Sequence, residues 1–220
     1  MTRINTNKKL KNTNNVAPVK NIIFDLDGTL YNSPEVFRKF AEAAYYTYAK
    51  ATKTPIEEAK KILEERRAEL ARQKGFAVPY TLALISFGIP IETWHEENVA
   101  FFDPTDFLAS NQPLKDCLLE LKKKYRLVVL TNNNKIQTRR IIKALGLDGV
   151  FHDVFTFNTF NLLKPDPGIL KIMLERLGAR PDECLMVGDR YEVDLVPARE
   201  LGMKIFEVKG PTDICKIGSA

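Results

Sequence analysis

Short apolar runs recur along the chain at Asn21–Leu26, Arg126–Thr131, Val154–Phe157, Cys184–Val187 and Lys204–Val208. Each is nearly continuous rather than alternating, the pattern of parallel strands covered on both faces. Between the later runs the apolar positions change to helical spacing. Leu114–Tyr125 carries Leu114, Cys117, Leu118 and Leu121 on one face. Ile136–Leu145, Pro167–Leu177 and Val193–Leu201 each run into a glycine, the residue that most readily closes a helix. Strand and helix in alternation predict an α/β fold, a Rossmann-like parallel sheet with right-handed crossovers.

One stretch breaks the alternation. Between Ser33 and Asp103 no run reads as a strand, and helical segments follow one another at Pro34–Lys50, Pro55–Lys74, Pro79–Phe87 and Pro90–Phe101. Ser33 and Thr54 suit N-caps, with Pro34 and Pro55 at the first helical position. Glu57, Glu58, Lys60, Lys61, Glu64, Glu65 and Arg67 give the second segment a solvated face. The expected organisation is a core from residues 21–32 and 106–209, with an all-helical cap at 33–105 inserted after the first strand.

Length and charge narrow the picture. A chain of 220 residues suits one domain with an insert. No apolar run approaches the roughly 20 residues that cross a bilayer, and the N-terminus lacks the apolar core of a secretory signal. The net charge of +5 resides in residues 1–20, where Arg3, Lys8, Lys9, Lys11 and Lys20 face no acid. Nucleic-acid binders concentrate cations on a folded face, so a nucleic-acid polymer is not an expected partner. Residues 1–20 are too poor in apolar groups to offset the entropy of ordering, and the leader is expected to be disordered, a targeting role staying open. Cys117, Cys184 and Cys215 are widely spaced and odd in number, which predicts neither a metal knuckle nor a disulfide framework. Cys184 reads as a buried thiol, and the cytoplasm is the expected location. His95 and His152 stand alone, leaving little material for a histidine triad or a zinc site.

The chemistry gathers at the strand ends. Ile22-Ile23-Phe24-Asp25-Leu26-Asp27-Gly28-Thr29 ends an apolar strand in two carboxylates. Functional groups of open α/β sheets belong in the crevice at such ends, whereas acids inside a buried strand would be costly to desolvate. Arg126–Thr131 leads to Thr131-Asn132 ahead of a helix, where free N–H groups favour an anion. Lys164 follows the third strand, and the fourth ends at Gly188-Asp189-Arg190 with Asp194 five positions beyond Asp189. Paired acids suit a hard, oxygen-seeking cation such as Mg²⁺. Each element alone has a plain structural explanation: a turn, an N-cap, an exposed loop lysine, a capped helix. Four of them in order at four strand ends do not.

This ordered set resembles the haloacid dehalogenase superfamily, whose four motifs match at Asp25/Asp27, Thr131, Lys164 and Asp189/Asp194, and whose first cap type is a helical insert after motif one. The resemblance covers Asn21 to Val208. It implies a phosphatase in which Asp25 is the nucleophile and forms an aspartyl-phosphate, while Asp27 is general acid and then base. It further implies that Thr131 and Asn132 hold phosphate oxygens and that Lys164 neutralises charge between Asp25 and the phosphate. Mg²⁺ would lie on Asp25, the backbone carbonyl of Asp27 and Asp189, with Asp194 direct or through water. The dehalogenase and ion-pump branches lack the second aspartate, so Asp27 disfavours both.

Substrate choice falls to the cap, because the core sees only phosphate. Arg66, Arg67, Arg72 and Lys74 are candidate anion readers there, with a solvated helix face as the alternative, and Tyr31 and Asn32 are expected near the entrance. Asp27-Gly28-Thr29-Leu30-Tyr31 and Leu130-Thr131-Asn132 look similar to the pyrimidine 5′-nucleotidase branch, although Gly28 departs from its usual Asn or Asp. The resemblance makes nucleoside 5′-monophosphates the expected substrates, with phosphoglycolate or a sugar phosphate as the alternative, followed by a phosphomutase and a non-catalytic regulatory protein on the same fold. The expected partner is a small phosphorylated metabolite, and the expected assembly a monomer or weak homodimer.

Overall fold

A computed structural model describes residues 17–219. Five parallel strands, β1 (Asn21–Phe24), β2 (Arg126–Leu130), β3 (Asp153–Phe155), β4 (Cys184–Gly188) and β5 (Lys204–Glu207), lie in the order β3-β2-β1-β4-β5. β1 is central because it is buried along its whole length and pairs on both sides, with Ile23 opposite Val128 and Met186. Its side chains feed two cores. Ile22 and Phe24 join Leu127, Val129 and Val187 on one face, while Ile23 joins Val128, Leu130 and Met186 on the other. After β3 the chain returns to the far side of β1, so the point where the winding direction reverses lies between β1 and β4. An α/β sheet opens its ligand crevice at that point.

Four consecutive helices follow β1: α1 (Pro34–Thr52), α2 (Ile56–Lys74), α3 (Tyr80–Ser86) and α4 (Ile91–Phe101). They share an apolar centre of their own, built from Ala43, Ala44, Tyr48, Leu63, Leu84 and Trp94. Ser33 caps α1 as its sequence suggests, accepting from Val36 N–H at 3.3 Å. Thr54 does not cap α2. Pro55 takes the cap position there, and no side chain satisfies the free N–H groups. The helical layer is fastened to α6 (Lys135–Ala144) by Gln137, whose Nε2 donates to Asn98 Oδ1 at 2.9 Å and Phe102 O at 3.1 Å. The remaining helices are α5 (Gln112–Lys122), α7 (Phe157–Phe160), α8 (Pro167–Leu177) and α9 (Val196–Glu200).

Several expectations are corrected. Val193–Leu201 is not one helix: a π-helical turn at Tyr191–Leu195, with Val196 N–H bonded to Tyr191 O, precedes α9. Pro197 offers no N–H to the carbonyl four residues back, which favours the wider turn. The core does not stop at residue 209. A 3₁₀ segment, Pro211–Ser219, buries Ile214 against the first core and is bonded by a Cys117–Cys215 disulfide, the Cα atoms 5.3 Å apart. The cysteine count concealed this pair because the third thiol, Cys184, is buried in β4 and free. The expected leader lies outside the described residues up to position 16. Ala17 and Lys20 belong to the fold, with Lys204 Nζ donating to Ala17 O at 2.8 Å and Lys20 N–H to Glu183 O at 2.8 Å.

Candidate active site

β1 ends by donating Asp25 N–H to Val187 O at 2.9 Å, which sets Asp25 at the head of the crevice. The chain then turns tightly: Leu30 N–H reaches Leu26 O at 2.9 Å and Gly28 N–H reaches Tyr31 O at 3.0 Å. Gly28 has φ +95°, and a Cβ there would stand 2.6 Å from Asp189 Cγ, so only glycine fits both the backbone and the neighbour. Gly188 is required for a parallel reason, since its Cβ would meet Asp194 Cβ at 2.6 Å. The two acid pairs therefore approach each other across bare backbone.

Lys164 is completely enclosed between them. Its Nζ lies 2.5 Å from Asp25 Oδ1 and 2.7 Å from Asp194 Oδ1. The loop that carries it is held by Asn132, whose Oδ1 accepts from Lys164 N–H at 2.7 Å and whose Nδ2 donates to Lys164 O at 2.9 Å. Asn132 thus holds the lysine loop with both polar atoms of its side chain, while its backbone N–H and second amide N–H are not engaged there. Thr131 Oγ1 donates to Asp27 Oδ2 at 3.3 Å and accepts from Asn133 N–H at 3.1 Å. Tyr31, expected only at the entrance, donates its hydroxyl to Asp27 Oδ1. Thr29 Oγ1 donates to Asp189 Oδ1 at 3.2 Å.

The charges are compressed. Burial pushes Asp25 up to about 7 even though Lys164 pulls it down. Burial also raises Asp27, opposed mainly by the Tyr31 hydroxyl. Lys164 is desolvated too, but Asp194 and Asp25 outweigh that and raise it, so it stays a cation. Asp25 Oδ2 is buried without a hydrogen-bond partner, as is Arg190 Nε, which comes no nearer than 3.9 Å to Asp194 Oδ2. One carboxylate oxygen from each of Asp25, Asp189 and Asp194 falls within 4.8 Å of the others. An orphaned carboxylate oxygen inside a set of hard oxygen donors fits a divalent cation such as Mg²⁺.

A cleft of about 520 Å³ opens over this cluster. Asp27, Asn132, Asn133, Asp189 and Arg190 form its floor, and Phe37, Phe40, Tyr80, Thr81, Trp94 and His95 form the wall on the helical side. Asn32 lies on its lining as expected. The suggested anion readers do not. Arg66 and Arg67 pair with Glu69 and Glu64, Arg66 and Arg72 border a separate groove, and Lys74 borders another. Sequence reasoning passed over the aromatic wall because Phe37, Phe40 and Trp94 sit at helical spacing and read as core.

Residues 19–202 match the family model described as hydrolase: haloacid dehalogenase-like hydrolase. The chain is 33% identical over 197 residues to the glyceraldehyde 3-phosphate phosphatase of Methanocaldococcus jannaschii, covering 84% of this chain and 82% of that one. It is 30% identical over 192 residues to the phosphoglycolate phosphatase of Rhodospirillum rubrum, covering 84% and 78%. In fold it is similar to the crystal structure of a HAD phosphatase from Thermococcus onnurineus, with TM-score 0.58 and 21% identity over 90% of this chain and 97% of that one. The chain belongs to the haloacid dehalogenase-like hydrolase family and is an enzyme of its phosphatase kind.

Proposed function

We propose that this phosphatase is Mg²⁺-dependent and hydrolyses small phosphate monoesters through an aspartyl-phosphate on Asp25. The observation that carries the reading is the state of Asp25: one oxygen is paired with Lys164 and the other is buried without a partner. In this reading an Asp25 oxygen attacks phosphorus while Lys164 and the backbone N–H groups after Thr131 balance the phosphate charge. Asp27, raised by burial, hands its proton to the departing alkoxide as the P–O bond breaks, and afterwards takes one from the water that attacks the aspartyl-phosphate. Tyr31 and Thr131 aim its two oxygens. Asp25, Asp189, Asp194 and the Asp27 carbonyl would hold the cation, which when bound supplies positive charge to the transferring phosphoryl group. The helices between residues 33 and 105 act as a cap and the rest as the catalytic core, and a cytoplasmic location belongs to the same proposal.

The relatives named above act on glyceraldehyde 3-phosphate and on phosphoglycolate. Small phosphorylated metabolites of that size are accordingly the first substrates to assay, with nucleoside monophosphates and hexose phosphates beside them. Inorganic phosphate as product separates hydrolysis from a mutase. Turnover is expected to vanish in EDTA and return with Mg²⁺. Rapid-quench labelling should find no covalent phosphate in Asp25→Asn, whereas Asp27→Asn should lose about 10²–10⁴-fold in turnover yet still label with an aryl phosphate. Labelled Asp25→Asn, or full turnover without divalent metal, would contradict the mechanism.

A further inference from the structure

The cleft is asymmetric in charge. Its floor carries the carboxylates of Asp27 and Asp189 beside the Arg190 guanidinium, while Asp25, Asp194 and Lys164 are buried and off its lining. The helical wall facing that floor presents no ionised side chain among its lining residues. Phe37 and Phe40 are bare rings. Trp94 spends its indole N–H on Thr81 Oγ1 at 3.0 Å, and Tyr80 spends its hydroxyl on Glu64 at 2.6 Å. His95 stacks edge-on against Phe157 at 4.9 Å, and burial lowers its imidazole to about 4, so it is neutral. Asn98, also on the lining, accepts from Gln137 Nε2 on its Oδ1, and its amide N–H groups enter no hydrogen bond among the described residues. Outside the floor, Glu207 and Lys209 are the lining charges, opposite in sign and exposed at the rim.

We propose that the cleft selects phosphate monoesters whose organic part is uncharged and hydroxylated, received by His95, Asn98 and the aromatic wall, and that it discriminates against esters bearing a second anion. The inference rests on the phosphatase reading and names the substrate class of that same site. A carboxylate on the leaving group would be desolvated against Phe37, Phe40 and Trp94 with no cation from the wall to meet it, and would face the acidic floor behind. A hydroxyl or carbonyl loses little in the same place, because neutral donors and acceptors are available.

The test uses substrates that share a carbon skeleton. Glycerol 3-phosphate and 3-phosphoglycerate differ at the far carbon, hydroxymethyl against carboxylate. The native enzyme in Mg²⁺ is expected to show at least about ten-fold higher kcat/KM for glycerol 3-phosphate. Asn32→Lys, an exposed position on the cleft lining, should narrow that ratio by improving 3-phosphoglycerate. Equal efficiencies in the native enzyme, or a ratio unmoved by Asn32→Lys, would overturn the inference. p-Nitrophenyl phosphate keeps the two readings apart: its hydrolysis alongside equal efficiencies sinks the selectivity alone, whereas no hydrolysis of any ester sinks both.

Discussion

At the scale of single residues, Lys164 carries the most consequence. It is a fully buried cation between two carboxylates, and removing one partner of a buried ion pair costs about 3–5 kcal/mol because the survivors are left unpaired. Lys164→Met should therefore be destabilised by about that amount at pH 8 in EDTA. The loss should shrink at lower pH. Burial already pushes Asp25 up to about 7, and without the lysine it would rise further. A carboxyl whose folded value exceeds its unfolded one binds more protons in the folded state, so stability falls as pH rises through that range. Urea unfolding of native and Lys164→Met proteins at pH 6 and pH 8 measures the difference, and a penalty that grows toward pH 6 would contradict the assigned pairing. Tyr31 shows how a residue can be read and still underestimated: its place after the motif was visible, but not its hydroxyl bond to Asp27.

At the scale of elements, the C-terminal 3₁₀ segment is the instructive case. Ile214 and Ile217 pack into the core around Leu114 and Leu118 of α5, and the Cys117–Cys215 bond joins the same two elements. The bridged cysteines are 98 residues apart. Chain-entropy arguments give about 4–5 kcal/mol for a loop of that size, and measured bridges commonly deliver about 2–4. Cys117→Ser should accordingly lower unfolding free energy by about 2–4 kcal/mol. Reducing agent should lower the melting temperature of the native protein and leave the variant unchanged. Two additional reactive thiols in the folded native protein would show that the bridge is absent. The π-helical turn at Tyr191–Leu195 matters equally to the site, because it fits Asp194 over bare Gly188 and against Lys164.

At the scale of the whole molecule, a parallel sheet delivers groups far apart in sequence to one end of β1, and the helical layer closes a cleft above them. A ligand that binds only this assembled set stabilises the fold by mass action, about 2.7 kcal/mol at one hundred times its dissociation constant. For a protein of this size that is a rise of about 2–4 °C per kcal/mol. Mg²⁺ should therefore raise the melting temperature of the native protein, and Asp189→Asn should abolish most of the rise. An equal rise in both would place the cation elsewhere.

Much of this was legible in the linear chain, for identifiable reasons. The strands β1, β2 and β4 announce themselves because both faces are covered, so nearly every position is apolar. Asp25, Asp27, Thr131, Lys164, Asp189 and Asp194 stand out because each interrupts or follows such a run. Helices α1 to α4 were visible from proline starts and helical spacing. Tertiary structure alone decided which polar groups meet: Asn132 on the Lys164 backbone, Tyr31 on Asp27, and Arg66 and Arg67 of α2 on neighbouring glutamates rather than on the cleft. It alone paired Cys117 with Cys215 and turned Phe37, Phe40, Trp94 and His95 toward the cleft. The physical reason is one of range. Strand, helix and turn preferences act between residues near in sequence and leave a periodic trace there, whereas a hydrogen bond across 32 positions, or an aromatic side chain at a cleft rather than in a core, leaves none.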